Sequence, residues 1–120
     1  MMHAHTVFIV ASRRDQQFFE SLLAPVFLLQ CYRDLPCALR AARKNAPYIL
    51  FLAAAELHRR GLSALGRCKK RLPQTKIIVL ADDDADFLGQ AALAAGADEV
   101  LFKPIGMEKV QQVLGIHSLA

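Results

Sequence analysis

Nothing in this sequence is long and apolar enough to cross a bilayer. The longest unbroken hydrophobic stretch runs from Ile49 to Ala55, against the roughly 20 residues that a spanning helix needs. The opening residues Met1-Met2-His3-Ala4-His5 hold neither a basic nor an apolar segment, so no secretory signal peptide is expected. Cysteine is scarce: Cys31, Cys37 and Cys68 are odd in number and show no paired metal spacing. That argues against a disulfide framework and for a reducing, cytoplasmic setting. The first turn, Ala11-Ser12-Arg13-Arg14-Asp15, has no glycine, where a phosphate cradle would need one. Ser12 and Ser63 have no histidine at a spacing that would mark a nucleophile–base pair. No enzymatic activity and no cofactor are expected.

What is present is hydrophobic substance in a repeating pattern. Hydrophobic residues make up 54% of the 120, enough for the core of one domain, and a chain of this length buries roughly two-thirds of its unfolded surface. Solid apolar runs occur at Thr6–Ala11, Val26–Gln30, Tyr48–Ala53, Lys76–Ala81 and Glu99–Phe102. They are short and do not alternate with polar residues, as strands of a parallel sheet covered on both faces do not. Amphipathic stretches separate them. Phe18, Leu22 and Val26 mark one face of the first, and Leu35, Leu39 and Ala42 one face of the second. Leu62, Leu65 and Cys68 mark the third; Phe87, Leu88, Ala91 and Ala95 the fourth; Val110, Val113 and Leu114 the fifth.

Punctuation agrees with this alternation. Asp34 is placed to cap the second helix and Asp83 or Asp84 the fourth, while Gly96 stands where a left-handed residue would end the fourth. Pro47 and Pro73 close the second and third helices ahead of their strands. Five βα units in so short a chain leave little for loops, and right-handed crossovers put helices on both faces of the sheet. The expected architecture is one α/β domain over residues 1–120, ordered from about residue 6 to 117. Its five-stranded parallel sheet has the order 2-1-3-4-5, whose ligands bind at the carboxyl ends of the strands.

The segment from Ala95 through Gly96-Ala97-Asp98-Glu99 to Lys103-Pro104-Ile105 resembles the last strand of response-regulator receiver domains of bacterial two-component systems. There a Gly-Ala-acidic lead runs to a Lys-Pro pair. Gly61-Leu62 follows Ala53 by eight residues, the spacing those domains keep between their acceptor aspartate and the glycine opening the third helix. Ile77-Ile78-Val79-Leu80-Ala81 matches their fourth strand. The resemblance covers nearly the whole chain and implies the CheY-like, flavodoxin-like fold, with a cis peptide before Pro104.

The departures from that family fall on its chemistry. By the resemblance, the acceptor aspartate at the end of the third strand is here Ala53, and the acidic pair that holds Mg²⁺ is Ala11-Ser12. The hydroxyl residue ending the fourth strand is Ala81, and the aromatic switch residue of the fifth is Val100. Lys103 and Pro104 are kept. Phosphoryl transfer needs an attacking oxygen in line and a metal to neutralise developing charge, and Mg²⁺ wants carboxylate oxygens. A methyl at Ala53 supplies no nucleophile, and Ala11 and Ser12 supply no carboxylate. The expectation is a pseudo-receiver that holds no metal and whose crevice has turned apolar and shallow. Lys103 then either reaches solvent along an apolar stem or finds an acid among Glu56, Asp82 and Asp83.

The expected function is a phosphorylation-independent signalling module that binds or regulates a partner protein or an output domain. Resemblance points to the face of the fourth helix, fifth strand and fifth helix, which in receivers also forms homodimers. Here that face would draw on Phe87, Gln90, Ala94, Val100, Phe102, Met107, Val110 and Gln111. The last residues, Gly115 to Ala120, stop where a receiver's final helix leads into an output domain, so truncation of a longer protein is one expectation. The alternative is a small-ligand or nucleotide-binding α/β domain using the strand-end crevice.

Two basic groups, Arg40-Arg43-Lys44 and Arg59-Arg60-Arg67-Lys69-Lys70-Arg71, raise the question of nucleic acid. The absence of a recognition-helix motif, an aromatic series or an RNA-binding signature argues against it, and for solvated faces or an acidic protein partner. The formal charge of +4 permits such a partner without requiring one. Asp82-Asp83-Asp84 reads as a helix start rather than a metal site, and His3-Ala4-His5 as a frayed terminus.

Overall fold

The alternation of solid and amphipathic runs resolves into a parallel sheet of order β2-β1-β3-β4-β5. The computed structural model describes residues 3–24, 26–82 and 87–115. The strands are β1 (His3–Val10), β2 (Leu28–Tyr32), β3 (Pro47–Ala53), β4 (Lys76–Ala81) and β5 (Glu99–Phe102). The helices are α1 (Arg13–Leu23), α2 (Leu35–Ala42), α3 (Ala54–Arg60), α4 (Ser63–Arg71), α5 (Phe87–Ala95) and α6 (Met107–Leu114). All strand pairs are parallel, with Val7 opposite Leu29 on one side and Ile49 on the other. The fold is therefore the expected α/β one.

Burial on both faces of the sheet explains the unalternating strands. Ile49, Leu50, Phe51 and Leu52 are all fully buried. Even and odd positions feed different cores: Leu50 and Leu52 join residues of α2, α3, α4 and α5, while Ile49 and Phe51 join those of α1 and α6. In the second core Phe19 stacks on Phe51 with ring centroids 4.5 Å apart. No helix among the described residues is long and apolar enough to cross a membrane.

Several local expectations need correction. The buried face of α1 is Phe19 and Leu23, one residue on from the expected Phe18, Leu22 and Val26; Phe18 and Val26 are exposed. β2 begins at Leu28 rather than Val26, because the chain after α1 first turns and buries Phe27. In α5 the expected Leu88 and Ala95 are half-buried against the core and Ala92 is fully buried, whereas the expected Phe87 is 85% exposed.

The expected third helix, marked by Leu62, Leu65 and Cys68, is α4, and a helix that was not expected, α3, precedes it. Ala54-Ala55-Glu56-Leu57 continues directly from β3 as strong helix formers, and α3 ends at Gly61, whose φ of +84° breaks the chain before α4. The expected fourth and fifth helices are thus α5 and α6. Asp34 caps α2 as expected, its Oδ1 accepting from the Cys37 N–H at 3.0 Å, and Gly96 has the expected positive φ. The capping role given to Asp83 or Asp84 lies outside the described residues, as do Asp83 as a partner of Lys103 and the segment after Gly115. The His3 and His5 side chains lie outside them too.

Candidate functional site

Parallel register brings three alanines to one end of the sheet. Val10 lies opposite Leu52, and Ala53 opposite Leu80, so Ala11, Ala53 and Ala81 share the carboxyl edge where ligands of such sheets bind. Ala81 is fully buried and Ala11 and Ala53 half-buried. The Lys103 N–H donates to the Ala81 carbonyl at 3.0 Å, which carries the β4–β5 ladder one residue further and sets Lys103 at the same edge. The Lys103–Pro104 peptide is cis.

Lys103 does not stand over the alanines alone. Its Nζ donates to Asp15 Oδ2 at 2.8 Å and to Asp82 Oδ1 at 3.4 Å. Asp15 belongs to the first turn of α1 and is the more enclosed of the two acids, with 20% of its side chain exposed against 84% for Asp82. Burial by itself lowers the pKa of the ammonium, but the hydrogen bonds and charges of Asp15 and Asp82 outweigh it. Together they hold the group above the ordinary lysine value.

Two expectations change here. Glu56 is not a partner of Lys103: it is buried on α3 and engaged by Arg59 at 3.3 Å and Arg60 at 3.1 Å, one helical turn away. Asp82, one of the expected acids, does pair, while the shorter contact is to Asp15, which lies outside the expected set. Its signal lay in the first turn itself, Ala11 to Asp15, where Asp15 is the one carboxylate.

Ser12, at the place of a metal-binding acid in the resemblance, is the N-cap of α1. Its Oγ accepts from the Asp15 N–H at 3.2 Å, a satisfied helix start. The adjoining Ala11 carbonyl accepts from Gln16 Nε2 at 2.9 Å. Mg²⁺ does not fit this edge. Among the described residues the carboxylates of this edge are the two already joined to an ammonium, and no group of three or more His, Cys, Asp or Glu converges.

The expected partner face lies along the β5 edge. A hollow of about 450 Å³ opens there between α5 and α6, lined by Leu93, Val100, Phe102, Ile105 and Val113 among others. Phe87 and Met107 are exposed without lining it, and Gln90 and Ala94 are also at the surface. Val100, Phe102 and Gln111 are half-buried. Val110 is a correction: it is fully buried in the α1–α6 core and unavailable to a partner. Its place on the inner face of α6, between Val113 and Met107, accounts for this. Leu93, outside the expected set, is also exposed on α5.

No protein-family model matches this sequence, and no curated protein matches it. Solved structures do resemble it in fold. A response regulator from Thermotoga maritima superposes with a TM-score of 0.79 at 22% identity, over 94% of this chain and 99% of that one. The signal receiver domain of an HD domain-containing protein from Pseudomonas fluorescens Pf-5 gives 0.78 at 23%, over 92% and 90%. A response regulator from Burkholderia pseudomallei, solved with a phosphorylated aspartic acid and a calcium ion, gives 0.75 at 18%, over 91% and 65%. The chain therefore has the fold of response-regulator receiver domains.

Proposed function

We propose that this chain is a pseudo-receiver: a receiver-like signalling module of the two-component type that binds or regulates a protein partner without being phosphorylated. The observation that carries this reading is the strand-end edge itself. β3 ends on the methyl of Ala53, and the ammonium of Lys103 is already neutralised by Asp15 at 2.8 Å. A nucleophile, a metal and a free cation are the three things phosphoryl capture requires, and these residues supply none of them.

The partner surface in this reading is the α5–β5–α6 face, which exposes Leu93 at its hollow and Phe87 and Met107 at the starts of α5 and α6. Large apolar side chains exposed together mark interaction sites more often than bare solvent-facing surface. The module acts as a binding domain, not an enzyme, in the cytoplasm; a second copy of the chain is one occupant of the same face. Intact-mass measurement after incubation with Mg²⁺ and acetyl phosphate tests the reading. An unchanged mass is expected, and a stoichiometric phospho-adduct would overturn it.

A further inference from the structure

The two basic groups of the sequence meet across a groove. Helices α2 and α4 lie side by side on one face of the sheet, and both contribute to the same core. Between them runs a trough of about 430 Å³ whose rims carry Arg40 and Arg43 on α2, and Arg60, Arg67 and Arg71 on α3 and α4. Its floor is apolar, with Leu35, Leu39 and Ala64. A shallower hollow continues it past Ala42 and Leu72, sharing Leu39, Arg43 and Arg71. From Leu35 to Arg43 the trough follows about 12 Å of helix.

The charge is largely uncompensated from within. Arg60 Nε pairs with Glu56 Oε2 at 3.1 Å. Among the described residues Arg40, Arg43, Arg67 and Arg71 form no ion pair with any carboxylate. Arg40 and Arg67 reach only the Cys37 Sγ at 3.8 Å and the Ser63 Oγ at 3.3 Å. Helix dipoles favour cations at the last turns of α2 and α4. They do not favour five guanidinium groups facing one another across a trough, where like charges repel. An anionic occupant relieves that repulsion.

We infer that the α2–α4 groove docks an acidic, amphipathic segment of a partner protein, its apolar side on Leu35, Leu39 and Ala64 and its carboxylates on the arginine rims. Three features favour this occupant over nucleic acid. The lining charges are all arginines, whose planar fork pairs bidentately with carboxylates. No aromatic side chain lines the trough to stack a base. And the lining between the arginines is apolar, with Leu35, Pro36, Leu39 and Ala64, which suits the apolar side of a helix laid in a groove. The groove shares no residue with the α5–β5–α6 face, so the inference stands apart from the function proposed above.

The test uses the whole chain and a fluorescein-labelled synthetic peptide about four helical turns long, with leucines at helical spacing and glutamates between them. A composition-matched scramble and a labelled DNA duplex serve as comparisons. Anisotropy should show the amphipathic peptide binding about tenfold or more tightly than the scramble. Arg43→Glu/Arg71→Glu should lower its affinity by at least that factor, with Arg43→Gln/Arg71→Gln replacing it should the reversal fail to fold. Arg13→Glu/Arg14→Glu, on α1, should leave it unchanged. Amide chemical-shift changes in the wild-type chain should map to α2 and α4. Equal binding of the scramble, indifference to the Arg43 and Arg71 variants, shifts confined to the α5–β5–α6 face, or tighter binding of the duplex would each overturn the assignment.

Discussion

Lys103 and Asp15 are 88 residues apart in sequence and 2.8 Å apart in space. Their ion pair ties the end of β5 to the first turn of α1 across the edge where Ala53 and Ala81 end their strands and Ala11 follows β1. The pair fills, with one cation and one carboxylate of this chain, a place that in the resemblance belongs to phosphate and metal.

Its strength follows from its half-buried setting. A double-mutant cycle with Asp15→Asn and Lys103→Met should return a coupling of about 1 kcal/mol, the upper end for a pair partly open to solvent. Urea midpoints of the four proteins measure it. The sign with pH is fixed by the raised Lys103 pKa. The pair's contribution is complete below the unfolded lysine value of about 10.4 and fades as pH rises through the higher folded value. The gap between wild type and Lys103→Met should therefore close at strongly alkaline pH.

Asp98 acts at the acid end. Its Oδ2 accepts from the Ile77 N–H at 2.7 Å and lies 2.7 Å from Lys69 Nζ, joining the approach to β5 to β4 and α4. Burial raises its pKa, but the hydrogen bonds from Lys69 and Ile77 and the nearby lysine charges outweigh this and hold it below the ordinary carboxylate value. Its stabilisation is therefore present above the unfolded aspartate value of about 3.9 and lost as pH falls through the depressed folded value. Asp98→Asn should cost about 1 kcal/mol at neutral pH, allowing for solvent screening. Below that range the two proteins should converge, as read from thermal or urea unfolding at a series of pH values.

Two glycines on neighbouring turns should respond in opposite directions. Gly61 closes α3 at φ +84° and ψ 155°, where a would-be Cβ meets only Ser63 Oγ at an ordinary 3.9 Å, so Gly61→Ala costs backbone strain, about 1–3 kcal/mol. Gly66 is exposed inside α4 with nothing near it, and Gly66→Ala should stabilise by about 0.5–1 kcal/mol through helix propensity. Thermal melts of the two variants decide both signs.

How far the sequence disclosed this molecule depends on the range of the interaction concerned. β4 and β5 fall on their expected residues because a buried run of Val, Ile and Leu is a local signal. The face of α1 was read one residue out because Phe18-Phe19 and Leu22-Leu23 offer two adjacent apolar stripes. Packing on Phe51 chooses between them. The three alanines were legible, since each ends a legible strand. Of the two acids on Lys103, Asp82 was legible as a neighbouring loop residue, and Asp15 was not, because a contact over 88 positions is set by the crossover of α1; the nearby Glu56 is claimed by its own helix. Likewise the two basic groups were visible, while their meeting across one groove is a product of helix packing.

Restoring the acceptor alone should not restore the chemistry. Ala53→Asp supplies a nucleophile, but Ala11 and Ser12 still provide no metal ligand, so its mass should stay unchanged with Mg²⁺ and acetyl phosphate. Adding Ala11→Asp and Ser12→Asp should give a variant that binds Mg²⁺, measured by calorimetry.

The most direct measurement is a titration of the unaltered chain with MgCl₂ and then beryllium fluoride, following the backbone amides of Ala53, Ala81 and Lys103 by NMR. These amides should hold their positions throughout, with the Lys103–Asp15 pair intact. Saturable shifts at all three, appearing only when both reagents are present, would contradict the account.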